Sequence, residues 1–420
     1  MAAALSCGAL SALSFVALAD PTDLRLTLAE VDRLALSDQP ILASGAANIR
    51  ALRDQSLAAA QLPDPRLIAG VMQMPVNGGE ALSFRDDDFT ALSVGVAQEF
   101  PRAAKRRLRA AALDQEADGT RLALTELERR IQLNAGSAYL DVVAAAAGAQ
   151  ILERLTAEAE RQQAAANINF VAGRSGQPEL LAATVDAALT ADRGRALRQR
   201  EQAGRAALAR WIGPAAERQV DASLDLPVAP PLAGLLDELP RHPWLAAPAT
   251  KEKLAATDLQ LARAALKPDW RMEIRYDHRL EFPDLVTVMV GIDLPLFPGN
   301  RQNRSSAAAN ARLSAASTER EDRLREATAS LMGAYREWQA GRGRLVYYDE
   351  SVLPPARDRV EATLLAYRSG SGALAGFLDA RRSLMEAELM RLDLYVQVAR
   401  ARLQIRYFDT EPELATETEQ

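Results

Sequence analysis

The chain is written twice, and the two copies lie 197 residues apart: Phe100-Pro101 recurs as Phe297-Pro298, Arg107 as Arg304, Gly173 as Gly370, and Leu208 as Ile405. Looser matches come earlier, Gln39-Pro40-Ile41-Leu42 with His242-Pro243-Trp244-Leu245 and Pro63-Asp64 with Pro268-Asp269. A duplication on this scale restricts the fold to two equivalent halves, because each half meets the same packing demands. The proline-rich stretch 226–232 lies between them and reads as a linker. The repeats are therefore expected over 20–225 and 233–409.

Each half opens with a helical segment, Leu26 to Leu62 and Leu232 to Leu266, that stops at a proline and changes period. In the second half Trp270, Met272, Ile274 and Tyr276 alternate with Arg271, Glu273, Arg275 and Asp277, which is the two-residue period of a strand with one apolar face. The returning strand sets Val286, Val288, Val290, Ile292 and Leu294 on one side, with Thr287, Met289, Gly291 and Asp293 on the other. This predicts a hairpin over about 269–296. Its weaker counterpart lies at about 66–100, with strands near Leu67 to Met74 and Thr90 to Phe100. The polar stretch Pro75 to Asp88 joins them.

A long helical hairpin follows each pair of strands, over about 101–212 and 299–408. No proline occurs between Pro101 and Pro178. At roughly 1.5 Å per residue, a helix from Arg102 to about Asn167 is on the order of 100 Å long. Gly173-Arg-Ser-Gly176 and Ser369-Gly-Ser-Gly372 break the two hairpins, and Pro354-Pro355 predicts a kink in the second descending helix.

Two histidines, His242 and His278, and the single Cys7 exclude a disulfide framework and disfavour a Cys/His zinc site or a histidine-dependent triad. No catalytic, cofactor-binding or metal-binding residue is assigned, and an enzyme is disfavoured. With 50 basic against 56 acidic residues and a net charge of −6, no basic field recruits nucleic acid. Residues 1–19 carry no charge and end in Ala17-Leu18-Ala19, an A-x-A pattern, so they read as a signal peptide. Ala4-Leu5-Ser6 is a poor lipobox, so Cys7 is expected to leave with the leader rather than to carry lipid. The acidic end, 410–420, is expected to be disordered.

A cleaved leader means export, and no later run of 18 apolar residues is evident, so any membrane insertion must use β-strands. Four strands of about 8–12 residues match tilted outer-membrane strands but cannot close a barrel alone. Open edges in lipid leave backbone groups unsatisfied, so other copies must supply the missing strands. The alternative is a soluble pair of hairpins packed on helices. The expected class is mainly α with transmembrane β, its β-barrel completed by strands from other copies of the chain.

This arrangement resembles the TolC-type outer-membrane efflux proteins. The residues that carry the resemblance are the paired hairpins, Leu294-Pro-Leu-Phe-Pro-Gly-Asn-Arg301 leaving the last strand, Phe170-Val-Ala-Gly173 with Tyr367-Arg-Ser-Gly370, and Leu378-Asp379-Ala380. It covers about Leu24 to Phe408. The resemblance implies a homotrimer with a twelve-stranded barrel and a periplasmic helical tunnel. It also implies partnership with a periplasmic adaptor and an inner-membrane pump of the resistance-nodulation-division (RND) type. Such a channel passively conducts drugs or metal ions across the periplasm and outer membrane, with no cofactor. An exit duct for type I protein secretion and a pore-less periplasmic coiled-coil scaffold are the alternatives.

The resemblance also implies site residues. The turns at Gly173, Arg174, Arg368 and Gly370 fall where the family meets its adaptor. Glu179, Tyr367 and Asp379 fall at its tip gate, although Gly376 stands where another acidic residue is common. Solvated helix-terminal groups are the plain alternative for all three. The basic run Lys105-Arg106-Arg107-Leu108-Arg109 lacks the interleaved aromatics of a nucleic-acid groove. With Arg301 and Arg304 in the matching place, Arg106 and Arg107 are read as anchors at lipid phosphates. Met72 and Met74 are expected on one strand face, which suits packing toward lipid as well as it would suit a soft metal.

Overall fold

The computed structural model describes residues 25–221 and 228–410, so the expected leader and most of the acidic tail lie outside the described residues, as does part of the linker. The first helical segment forms as two helices, α1 (Leu28–Ser37) and α2 (Pro40–Ala60). Its counterpart is likewise split, into α5 (Leu232–Glu238), a short 3-10 turn, and α6 (Pro243–Ala264). The single helices expected at these places are corrected for one reason. A residue before proline is driven out of the helical region, and Gln39 (ψ 106°) and His242 (ψ 137°) are both extended.

Four strands follow this pattern: β1 (Arg66–Met72), β2 (Ala91–Phe100), β3 (Trp270–His278) and β4 (Leu285–Ile292). They form one antiparallel sheet in the order β1-β2-β3-β4, so the two hairpins join through β2 and β3. Two strand ends differ from expectation. β1 stops at Met72, where Gln73 takes φ 53° and turns the chain, so Met74 does not share a strand face with Met72. β4 stops at Ile292, and Leu294 follows beyond the strand.

The hairpins lead into α3 (Ala103–Val171), which returns as α4 (Gln177–Ile212), and α7 (Gln302–Tyr347), which continues as α8 (Leu353–Arg368) and returns as α9 (Leu374–Phe408). Where the sequence predicts a kink at Pro354-Pro355, a π-turn spans Tyr348–Val352, and the helix resumes at Leu353. Two adjacent residues without N–H donors remove two rungs of the helical ladder, and a widened turn accommodates the loss. One window of α3 is apolar enough, by length and composition, to cross a bilayer, which corrects the expectation that no such run occurs. Half of that window is buried inside the protein.

The chain divides into two compact units. One takes residues up to Leu34 and those from Ala138 to the linker. Its core contains Leu26, Val31, Tyr139, Leu152 and Leu208, all at 1% exposure or less. Tyr139 Oη donates to the carbonyls of Leu26 (2.8 Å) and Asp221 (3.0 Å), tying both ends of the first half to α3. The second unit takes Ala35–Ser137 and the chain from the linker onward. Its core joins Leu235, Leu239, Leu245, Leu331, Trp338, Ile405 and Phe408 from α5, the 3-10 turn, α6, α7 and α9.

Candidate pore-forming site

Strand register assigns every side chain of the sheet to a face, because directly opposed residues point the same way. Val94 opposes Ala69 and Tyr276; Val96 opposes Leu67 and Ile274; Met272 opposes Val290, and Trp270 opposes Ile292. One continuous face therefore carries Leu67, Val71, Leu92, Val94, Val96, Ile274, Val288 and Val290. All of these are exposed, from 45% at Val71 to 75% at Leu67. Phe100 and Trp270 stack at its end with ring centroids 4.1 Å apart.

The other face is polar. Arg271, Glu273, Arg275 and Asp277 alternate in sign along β3. Asp277 accepts hydrogen bonds from Ser93 on β2 (2.5 Å) and Thr287 on β4 (2.9 Å), joining three strands through one carboxylate. Arg275 Nε lies 3.3 Å from Glu273. A Cβ at Gly95 would collide with Cγ of Arg275, and one at Gly291 would stand 2.8 Å from Nε of Arg271. These glycines let the arginines lie flat on the sheet.

Where the strands pass into helices, the basic run divides. Lys105 is buried and donates to Asp269 (2.8 Å) and the Lys267 carbonyl (2.7 Å). Arg106 is half-buried and donates to the Ala60 carbonyl at the end of α2 (3.1 Å). Arg107, Arg301 and Arg304 remain exposed. Sequence reasoning missed the role of Lys105. The signal was present in the repeated Pro-Asp pair, whose second copy supplies Asp269.

The two helical turns have the same construction. Gly173 and Gly370 sit at φ 69° and 74°, where an L side chain is strained. The next N–H bonds back across the turn in each, Arg174 to the Asn169 carbonyl (2.8 Å) and Ser371 to the Ala366 carbonyl (3.0 Å). This is a helix-terminating glycine motif used twice. Arg174 and Arg368 are exposed beside the turns, while Glu179 and Tyr367 are half-buried. Asp379 is exposed and paired within its own hairpin, accepting from Arg359 at 2.7 Å. Arg359 was not singled out from sequence, although it and Asp379 stand nearly equidistant from the Gly370 turn. Closer to the π-turn, Arg391 bridges Asp349 at 2.5 and 3.1 Å and holds that carboxyl below its ordinary range.

Among the described residues the sheet has one exposed apolar face and two open edges, and it is mounted on long helical hairpins. Residues 236–409 match the family model described as outer membrane efflux protein. No curated protein matches the chain in sequence. A membrane protein from Pseudomonas aeruginosa shares the fold at TM-score 0.79 and 17% identity, over 91% of this chain and 92% of that one. CusC does so at 0.78 and 16%, over 91% of each. The CmeC outer membrane channel of Campylobacter jejuni does so at 0.77 and 14%, over 91% of this chain and 85% of that one. The family model thus covers the second half of the chain, and the solved structures share its fold over about nine-tenths of its length.

Proposed function

We propose that three copies of the chain close a twelve-stranded barrel in the outer membrane and form the exit channel of a tripartite efflux pump. The observation that carries this reading is the sheet. Its apolar face is exposed at position after position, and within the described residues neither β1 nor β4 has an outer neighbour. In lipid, those open backbone groups require pairing, and further copies of the same sheet supply it. The apolar face then meets acyl chains, while the Arg271-Glu273-Arg275-Asp277 row lines a wet lumen.

In this reading the channel receives its cargo from an inner-membrane pump, of RND type, through a periplasmic adaptor that meets the turns at Gly173, Arg174, Arg368 and Gly370. Glu179, Tyr367 and Asp379 stand close to those turns in sequence and act at the entrance. Arg107, Arg301 and Arg304 reach lipid phosphates where helices leave the sheet; Arg106 does so only with what its bond to Ala60 leaves free. Conduction breaks no bond and uses no cofactor. The test is reconstitution: protein purified in detergent is expected to give stepwise ion currents in planar bilayers. A species that stays soluble without detergent and gives no current would overturn the reading.

A further inference from the structure

The start of α6 carries a titratable group that the channel reading does not use. His242 caps the helix, and its ring is fully buried. Nδ1 accepts the Trp244 N–H at 3.2 Å. Nε2 lies 2.7 Å from the Tyr407 carbonyl oxygen, which only accepts, so Nε2 carries the hydrogen. Both nitrogens are thus committed, and only the neutral Nε2–H tautomer satisfies both.

The surroundings come from several elements. Tyr407 and Phe408 of α9 flank the ring at 5.0 and 5.7 Å. Tyr407 Oη donates to Glu126 of α3 at 2.7 Å, and Arg130 grips the same carboxylate with two nitrogens. Arg129 donates to the carbonyls of Tyr407 and Asp409. From α7, Arg323 stands 5.7 Å over the Trp244 ring, and Arg241 is paired with Glu238 in the turn before α6. The nearby carboxylate, Glu126, is already bound by Arg130 and Tyr407. A second proton on the imidazole would therefore set Nδ1–H against the Trp244 N–H, donor to donor, and would bury a cation near Arg129.

We propose that this joint is an acid-released clamp: at neutral pH His242 ties the first turn of α6 and the end of α9 together beside α3, and protonation of its ring opens the joint. Burial is the main cause that holds the ring's pKa down at about 4, with Arg129 acting the same way and the Tyr407 carbonyl opposing. Once the joint opens, the imidazole titrates near its ordinary value of about 6.5. The clamp is therefore at full strength above about pH 6.5, weakens as pH falls toward 4, and loses nothing more below that.

Hydrogen exchange on the full chain in detergent tests this at the Leu245 and Ala246 amides, both bonded to the His242 carbonyl. Corrected for intrinsic rates, their protection should fall on the order of a hundredfold between pH 7 and 4.5. Amides of α4 should not follow. His242→Gln, which donates and accepts without titrating, should flatten the profile, and Glu126→Gln should leave the fall in place. Should the glutamine variant fail to fold, the wild-type profile beside Glu126→Gln decides alone. Protection that stays level to pH 4.5 in the wild type would overturn the proposal. So would an equal fall in His242→Gln, or a fall abolished by Glu126→Gln.

Discussion

At their turns the two halves of the chain are nearly interchangeable: Gly173 and Gly370 hold φ of 69° and 74°, and each is followed by the same back-bonded N–H. Elsewhere they diverge. The first descending helix, α3, runs unbroken from Ala103 to Val171, whereas its counterpart is interrupted by the π-turn at Tyr348–Val352. At the second helix of each half, Gln39 makes no side-chain capping bond to α2, but His242 caps α6 from a buried position. Duplication has kept the features with one geometric solution, a left-handed turn residue and an alternating strand. It has released those that only one half requires.

The sheet offers the largest test of this equivalence. Val94 in the first hairpin and Val290 in the second lie on the same apolar face, so in the proposed barrel either changed to Arg places a charge in lipid. Each should cost about 2–4 kcal/mol near the bilayer midplane and abolish assembled protein in membrane fractions. Gly70→Asp, on the opposite face with open space around it, should insert normally. Insertion of either arginine variant would break the face assignment. A smaller effect is expected at the turns. Gly173→Ala and Gly370→Ala should each cost about 1–2 kcal/mol, the strain of an L residue at positive φ. Thermal unfolding should show equal penalties, and unequal ones would mean that the two turns are not equivalent in the assembly.

The smallest effect concerns a feature of the second half alone. The Arg359–Asp379 pair is half-exposed at both ends and is worth under about 1 kcal/mol. Asp379→Asn should therefore leave thermal stability almost unchanged. If Asp379 acts at the entrance, the change should weaken cation selectivity in single-channel recordings, and Arg359→Ala should strengthen it by freeing the carboxylate. Unchanged selectivity in both variants would reduce the pair to a hairpin brace.

The element plan was legible in sequence because period and punctuation are local properties. Alternation at Trp270 to Asp277 marked β3 and its faces, and the absence of proline marked α3. Less legible were features that depend on partners distant in the chain. Lys105 lay within an apparent surface run, yet Asp269, far along the sequence, draws it inward. Arg359 gained meaning only from its pairing with Asp379 across the Gly370 turn. His242 was visible as a repeat position opposite Gln39, but its burial depends on Tyr407 and Phe408 folding back from the end of α9. The split at Pro40 and Pro243 was readable in principle from each residue before proline, and was obscured by the apolar pattern continuing through the break.

The central claim is that β1 and β4 are edges closed by other copies of the same chain. A chain with one native cysteine, Cys7, suits a disulfide-trapping test once that residue is replaced. Cysteines introduced singly and together at Ala69 on β1 and Val288 on β4, followed by oxidation in the membrane, read this directly on a non-reducing gel. The account predicts covalent dimers and trimers, and nothing larger, for protein carrying both cysteines, and no ladder for either alone. Monomer only, with both cysteines open to a water-soluble maleimide in intact membranes, would contradict it.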